Sequence, residues 1–431
     1  MGIYLNPGDD RFRMALRSEI YVDKTGMLSY LNRVLGTESR FVCVSRPRRF
    51  GKSMAANMIA AYYDRTAHGE EVFRDLKIAQ DAGFGEHCGK YDVIQLNVQD
   101  FLSRAGDMNE LLTLLQKSVL WDLLEEYPDF RYFDETDLVR TMSDIYAKTR
   151  RPFVIVIDEW DCIFREYRNH KDWQEKYLDF LRSWLKDKAY ASLVYMTGIL
   201  PIKKYGTHSA LNMFEEFSMV DAGPLAPFAG FTEDEVQELC NRYGMDFEEC
   251  KAWYDGYHFP GVGSIYSPRS VVQSMKFQRF GTYWNRTETF EALKVYIDMD
   301  YDGLREAIIA LMARERKRIN TGKFANDMTT FHDMDDVLTL LVHLGYLGYD
   351  FASSCVFIPN QEILLEYVNA VEAGGWDAVA KAVRASEDLL EATLAMDEEG
   401  VAKGIEEAHF ETSHLQYNDE NALSYTVSLA Y

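Results

Sequence analysis

The sequence predicts an α/β fold, a three-layer αβα sandwich around a parallel sheet, followed by a helical lid region and a winged-helix-like α+β region. Three observations lead to this prediction. Short apolar runs alternate with helix-forming segments, which is the pattern of a parallel sheet covered on both faces. A strand near residue 44 leads through a polar loop into Gly-Lys-Ser and a helix. A later strand ends in two adjacent carboxylates near residue 158.

Length and charge limit the classes of protein to which the chain can belong. Its 431 residues exceed one typical hydrophobic core, so we expect two or three domains. A hydrophobic fraction of 47% indicates an ordered, globular protein. The 46 basic and 69 acidic residues give a net charge of −23, which disfavours nonspecific attraction to nucleic acid or anionic lipid.

The cysteines and the hydropathy pattern favour a cytoplasmic protein. Six cysteines are scattered along the chain, without a C-x-x-C pair or the spacing of a zinc site. No signal segment opens the chain, and no run of about 18 apolar residues occurs. We therefore expect a reducing compartment and no membrane contact.

Residues 41–63 have the layout of a phosphate-binding loop (P-loop). An apolar strand is followed by a polar loop, Gly-Lys-Ser and a segment rich in helix formers. Backbone N–H groups at the start of such a helix point at phosphates. The usual pattern is G-x-x-x-x-G-K-[ST], and Arg46 stands at its first glycine here. Because Gly-Lys-Ser alone is common, an ordinary turn with a surface lysine is the alternative.

This layout predicts a P-loop NTPase sheet that binds ATP and Mg²⁺. Lys52 would lie along the β- and γ-phosphates, and the Ser53 hydroxyl would complete the Mg²⁺ shell. The residues expected to contact the nucleotide in this segment are Arg46, Pro47, Arg48, Arg49, Phe50, Gly51, Lys52, Ser53 and Met54.

Residues 153–161 (FVIVIDEWD) predict a buried strand whose tip carries adjacent carboxylates, the Walker B arrangement. Asp158 is expected to hold Mg²⁺, directly or through a water, and Glu159 to orient and deprotonate the attacking water. Acidic pairs also end many strands that have no catalytic role. The position of this pair, with a strand and helices between it and the P-loop helix, favours the functional interpretation.

Further candidate positions each have a plain structural alternative. Thr197 ends a strand where ATPases of the additional-strand type carry a polar residue that senses the γ-phosphate, or it merely ends that strand. Tyr21 and Asp23 could cover the base, or Asp23 could cap the first helix. Arg269 begins a helix in the predicted lid, from which it could reach the phosphates or face solvent.

Beyond the lid, the order helix, hairpin, helix over residues 335–370 suggests a winged-helix-like module. That fold binds DNA in many proteins and packs against protein in others. A basic cluster at residues 314–318 (RERKR) could touch phosphate, but a solvated helix face is the favoured interpretation. The acidic character of the chain from residue 361 onward makes nucleic-acid binding by this tail improbable.

Together, several motifs resemble those of the bacterial AAA-ATPase-like family over nearly the whole chain. These motifs are YVDKT (21–25), RPRRFGKS (46–53), DEWD (158–161), TGILPIKKYG (197–206) and WYDGY (253–257). The resemblance implies a P-loop ATPase core with a winged-helix-like domain behind it. RPRRFGKS is the usual P-loop form of that family, so the resemblance makes Arg46 a family trait. Members often carry a C-terminal PD-(D/E)XK nuclease-like domain.

Residues 418–423 (NDENAL) resemble the lead-in helix of the nuclease-like domain, with Glu420 as its first acidic position. The strand that bears the later Asp and the Glu-x-Lys motif is absent, so the resemblance implies a truncated domain that does not cut DNA. The expected domains are a P-loop ATPase core at 1–225, a helical lid region at 226–300, a winged-helix-like domain at 301–372 and an acidic helical tail leading into the truncated domain at 373–431.

The sequence thus predicts an ATP-binding, Mg-dependent protein that acts as an ATPase or as a nucleotide-dependent switch. One alternative is a non-hydrolysing scaffold, and another is a module that binds protein or nucleic acid through the winged-helix-like region. Arg48, Arg49 or Arg269 could offset the charge of the transition state. We expect an unknown protein partner or self-association, with weaker support for nucleic acid.

Overall fold

The computed structural model describes residues 2–202, 211–284, 291–297, 299, 301, 303–325, 328–373 and 377–412. The chain divides into two compact units. Unit 1 comprises Met1–Trp284 and Arg318–Asn360, and unit 2 comprises Asn285–Lys317 and Gln361–Tyr431. The predicted nuclease lead-in at 418–423, and residues 203–206 of the fourth motif, lie outside the described residues.

The helices lie at α1 Asp10–Leu16, α2 Gly26–Val34, α3 Lys52–Tyr63, α4 Gly69–Phe73, α5 Phe84–His87, α6 Val98–Leu102, α7 Met108–Glu126, α8 Leu138–Thr149, α9 Cys162–Glu166, α10 Lys171–Leu185, α11 Glu233–Tyr243, α12 Phe247–Tyr254, α13 Pro268–Phe277, α14 Glu291–Ile297, α15 Leu304–Met312, α16 Met334–Leu344, α17 Gln361–Ala373, α18 Asp377–Leu394 and α19 Glu398–Thr412. The strands lie at β1 Phe41–Ser45, β2 Asp92–Asn97, β3 Phe153–Asp158, β4 Ala191–Gly198, β5 Glu215–Phe217, β6 Phe231–Thr232, β7 Tyr257–Phe259, β8 Gly263–Tyr266, β9 Lys317–Arg318, β10 Gly348–Asp350 and β11 Cys355–Phe357.

The centre of unit 1 is a parallel sheet with the strand order β2-β3-β4-β1-β5. Val44 of β1 and Asp158 of β3 both pair with Thr197 of β4, which lies between them. The carboxyl ends of these strands therefore meet at one edge of the sheet, where ligands of open α/β sheets bind. The predicted α/β class with a P-loop NTPase sheet is confirmed.

Both faces of this sheet are buried. Side chains on one face, such as Val44 and Val156, pack in one cluster with Phe12 of α1, Leu28 of α2 and Ile59 of α3. The alternate strand residues are also removed from solvent, since every residue of β1, β3 and β4 is buried. Near-continuous apolar runs are what a parallel sheet covered on both faces requires.

The predicted lid region contains the helices α11, α12 and α13 around a small antiparallel sheet of order β6-β8-β7. Thr232 and Glu235 form a capping box at the start of α11. The apolar faces of the helices share one cluster with Phe231 and Tyr266 of the sheet. This sheet and its helices therefore have a core of their own within unit 1.

The predicted winged-helix-like region contains the expected order of α16, the β10–β11 hairpin and α17. Helix α16 and the hairpin belong to unit 1, whereas α17 belongs to unit 2, where it packs with α14 and α18. The assignment of 301–372 as one winged-helix-like domain stays a prediction. Among the described helices, none combines the length with the apolar character that a bilayer crossing requires.

Candidate phosphate-binding site

The loop between β1 and α3 has the backbone geometry of a tight turn into a helix. Gly51 precedes α3 with a φ of +85°, a left-handed conformation that favours glycine. Arg49 is also left-handed, with a φ of +72°, which is uncommon for a residue with a side chain. The first N–H groups of α3 lack partners within the helix, and such groups bind anions.

Lys52 is held against the loop that precedes it. Its Nζ donates to the carbonyl oxygens of Arg46 at 3.0 Å and Pro47 at 2.9 Å. Burial lowers the pKa of Lys52, while the negative charges of Glu159 and Asp161 oppose that effect. A buried ammonium group therefore lies inside the loop, close to the carboxylates at the tip of β3.

Arg46 is accommodated by turning its side chain into the interior. Its backbone N donates to Gly198 O at 3.0 Å. Its Nη1 donates to the carbonyl oxygens of Ser45 and Phe217, each at 2.9 Å. The guanidinium carbon lies 5.2 Å from the centre of the Phe259 ring, and burial lowers the pKa of Arg46 to about 10. The side chain at the missing glycine thus supports the loop from within.

The predicted acidic pair ends β3. Asp158 is buried and pairs across the sheet with Thr197 and with Asn97 of β2. Burial raises the pKa of Asp158 to about 6, a hydrogen bond from the Ser53 side chain opposes this rise, and the charge of Glu159 adds to it. A hydroxyl and a carboxylate side by side are hard oxygen ligands of the kind that Mg²⁺ prefers. Ser53 and Asp158 therefore fit the metal site that the sequence predicts.

Glu159 has a left-handed backbone, with a φ of +54°. Its carboxylate forms an ion pair with Arg165 of α9. Arg165 also donates from Nε to Asp161 at 3.2 Å. Asp161 in turn accepts from the backbone N–H groups of Ile199 at 3.0 Å and Leu200 at 2.7 Å, just beyond β4. Through Arg165 and Asp161, Glu159 is thereby connected to the backbone that follows β4.

The contribution of Asp161 and Arg165 was missed at the sequence level. Asp161 was visible as the last residue of DEWD, and Arg165 follows it four positions later, the spacing of one helical turn. Thr197, in contrast, lies where the sequence places it, at the tip of β4. Its hydroxyl is buried and donates to Val44 O at 3.1 Å.

An apolar cleft of about 360 Å³ adjoins the loop. Its wall includes Phe228, Phe231 and Val272, which face residues of the phosphate loop and of α3. Several predicted nucleotide contacts lie around this cleft, namely Tyr21, Arg49, Phe50, Gly51, Met54 and Arg269. Burial lowers the pKa of Arg49, and the nearby positive charge of Arg269 acts in the same direction. The structure thus brings the segment before β1, the loop and the lid helix together.

Asp23 is not among the residues that line this cleft. Its carboxylate accepts from the backbone N–H of Thr25 at 2.8 Å, from the Thr25 hydroxyl at 2.6 Å and from the Lys77 N–H at 2.7 Å. These bonds order the turn that precedes α2.

Comparison with known proteins supports the resemblance seen in the motifs. The model of the AAA-ATPase-like family, described as "Predicted AAA-ATPase", matches residues 9–207, which include the phosphate loop and the acidic pair. This segment belongs to the AAA-ATPase-like family. Its fold and family are those of a P-loop ATPase-type nucleotide-binding protein.

A relative is an uncharacterized protein in the vnfD 5′ region of Azotobacter chroococcum mcd 1, 26% identical over 296 residues. The match covers 66% of this chain and 52% of the relative, so it spans about half the relative's length. Among solved structures, the ORC2 protein of Aeropyrum pernix (ADPNP-ADP complexes) is 12% identical, with a TM-score of 0.36, and covers 85% of this chain and 98% of its own. Cdc6p from Pyrobaculum aerophilum is 8% identical, with a TM-score of 0.26, and covers 83% and 97%.

Replacing Asp158 with Asn should stabilise the protein at neutral pH when no nucleotide is bound. The Asp158 pKa is about 6 in the folded protein, against a usual value of 3.8. Between these pH values the folded state binds the proton more tightly than the unfolded state, so the Asp158 contribution to stability falls as the pH rises through this window. Above it, Asp158→Asn should raise the free energy of unfolding by roughly 1–3 kcal/mol, and near pH 4 the gain should vanish.

Melting temperatures of the wild type and the variant at pH 4 and pH 7.5 test this expectation. Asp92→Asn is the matched control at the opposite end of the sheet. Burial would raise the pKa of Asp92, but hydrogen bonds from Asn6, Tyr127 and Arg65 outweigh burial and lower it. The control should therefore lose stability at pH 7.5. If Asp158→Asn melted at a lower temperature than wild type at that pH, the ionised Asp158 carboxylate would not destabilise the folded protein, and the prediction would be wrong.

Proposed function

We propose that unit 1 binds ATP with Mg²⁺ and hydrolyses it. The observation that carries this proposal is the convergence of Lys52, Ser53, Asp158 and Glu159 at one edge of the sheet, beside an apolar cleft. The charge of Lys52 interacts with the charges of both Glu159 and Asp158, which supports a shared site. Lys52 would bind phosphate, and Ser53 and Asp158 would supply oxygen ligands for Mg²⁺. Glu159 would supply the carboxylate that activates the attacking water.

The cleft suits the nucleoside part of the substrate. Apolar and aromatic walls such as Tyr21, Met54 and Phe231 match the flat faces of a purine base. Gly51 lines this cleft and directly precedes α3, so the phosphate chain would extend from the base toward the start of α3. Arg49 and Arg269 line the same cleft and would add positive charge beside the phosphates.

The residues at the tip of β3 would carry the chemistry. Ser53 and Asp158 would hold Mg²⁺, which neutralises charge on the phosphates when bound. Glu159 would accept a proton from the attacking water as general base. Because its carboxylate is paired with Arg165, this role requires that the ion pair loosen when substrate binds.

The ion pair between Glu159 and Arg165 also favours a second candidate, a nucleotide-dependent switch that binds ATP without turnover. In that case Glu159 would remain occupied after ATP binds. Thermal-shift titration with Mg-ATP and a phosphate-release assay separate the two functions. Stabilisation without phosphate release favours the switch, and release that depends on the protein favours the ATPase.

Replacing Lys52 with Met should weaken Mg-ATP binding by about 10- to 100-fold, because the phosphates lose a charge-assisted contact. Isothermal titration calorimetry measures the affinity, and thermal melting checks that the variant folds. Lys148→Met is the control, since the Lys148 ammonium group is exposed on α8 and donates to Arg131 O, outside the phosphate loop. Equal affinities of wild type and Lys52→Met would exclude Lys52 from phosphate binding.

A cytoplasmic location, an unknown protein partner, self-association and nucleic-acid binding remain proposals. For nucleic acid, the net charge of −23 is unfavourable. Binding of duplex DNA at about 50 mM salt, where phosphate contacts are strong, is the direct test of that partner.

A further inference from the structure

Segments of unit 1 that lie far downstream in the chain also contact the phosphate loop. The Phe50 ring meets the Tyr257 ring edge-on, with centroids 5.4 Å apart. The Trp284 Nε1 donates to Arg48 O at 3.3 Å. Arg46 lies over the ring of Phe259, as described above. The loop is thus held by three residues from downstream segments, namely Tyr257, Phe259 and Trp284.

Tyr257 contacts both the phosphate loop and the turn that follows α16. It is the last residue of the WYDGY motif, begins β7 and is buried. Its hydroxyl donates to Gly345 O at 2.6 Å, while its ring contacts Phe50. Gly345 ends α16 with a φ of +89°, and a Cβ atom there would lie 2.8 Å from Cβ of Pro47. Tyr257 therefore fixes both Phe50 and the turn that packs against Pro47.

Such support has a physical reason in this loop. Arg46 replaces the glycine that usually allows the turn, and Arg49 holds a left-handed backbone despite its side chain. Backbone of this kind persists only where the surroundings determine it. The N–H groups of the loop must also keep their directions when phosphate binds, because preorganised donors lose little freedom on binding.

We propose that Tyr257 is a positioning residue for phosphate recognition, which it serves through Phe50 and the Gly345 turn. This inference rests on the proposed ATP binding and adds a residue to it that no motif of the phosphate loop contains. Tyr257 does not line the apolar cleft. Tyr257→Phe removes only the hydroxyl bond to Gly345 O, which supports the turn packed against Pro47, and Pro47 does not line the cleft either. This change should consequently affect the phosphates of the ligand more than the base.

The test compares Tyr257→Phe with Tyr254→Phe, a matched control from the same motif. Tyr254 is also buried, but its hydroxyl donates to Gly281 O at 2.9 Å and its ring packs against Phe280. Affinities for Mg-ATP and AMP are measured by competition against a fluorescent ATP analogue, and melting temperatures are recorded without nucleotide. We expect Tyr257→Phe to bind Mg-ATP about three- to tenfold more weakly than wild type, with a smaller loss for AMP.

Equal losses of Mg-ATP affinity in both variants, or none in Tyr257→Phe, would overturn the proposal, because a general loss of stability affects both alike. An equal loss for AMP and Mg-ATP would overturn it too, since the effect would then lie in the base cleft. If Tyr257→Phe does not fold, Trp284→Phe carries the same test by removing the bond to Arg48 O. Wild-type protein that does not bind Mg-ATP would instead refute the proposed function itself.

Discussion

Glu159→Gln is expected to lower the rate of ATP turnover by about 10²- to 10⁴-fold, the range typical of a lost general base. Glutamine keeps the size of the side chain but cannot accept the proton of the attacking water. Mg-ATP affinity should change much less, because Lys52, Ser53 and Asp158 are intact. Steady-state phosphate release gives the rate, and calorimetric titration gives the affinity.

Glu166→Gln is the control for this experiment, since Glu166 lies on the same short helix α9 and faces solvent. It should turn over ATP at the wild-type rate. If Glu159→Gln hydrolyses ATP as fast as wild type, the assignment of Glu159 as base fails. Loss of both affinity and turnover would mean that Glu159 shapes the binding site rather than the chemical step.

Asp161→Ala is expected to produce the largest loss of stability, about 3–5 kcal/mol, the range for removing one partner of a buried ion pair. The carboxylate of Asp161 is fully buried and accepts from Arg165, Ile199 and Leu200. Alanine would leave two backbone N–H groups and a guanidinium without this acceptor. Because Arg165 also holds Glu159, turnover should fall as well.

Urea unfolding of the wild type and variants measures this loss. Asp137→Ala is the comparison, because Asp137 is a solvent-exposed cap whose side chain accepts from Arg140 N at the start of α8. Removing such a cap typically costs about 1 kcal/mol. A loss for Asp161→Ala no greater than that of Asp137→Ala would show that the link from the acidic pair to β4 is energetically unimportant.

The main parts of the candidate site are predictable from the sequence because their signals are local. From β1 through Gly51 into α3, the sequence changes within a short segment from an apolar strand to a polar loop and then to helix-forming residues. The strand before Asp158 is a continuous apolar run. Parallel strands align their carboxyl ends, so the tips of β1, β3 and β4 had to meet once all were in the sheet. The cleft beside the loop was harder to predict, because Tyr21 and Arg269 are distant in sequence and both line the cleft only in the folded chain.

By itself, the sequence determined the sheet, the phosphate loop and the acidic pair, because periodicity, turn residues and chain order are sufficient for these. Only the tertiary structure decided how the loop accommodates Arg46, which residue pairs with Glu159 and which ring contacts Phe50. The partner of Arg46 in β5 is 171 residues away, and the carbonyl bonded by Tyr257 is 88 residues from it. Contacts at such separations depend on how whole elements pack, and neither propensity nor local spacing encodes them.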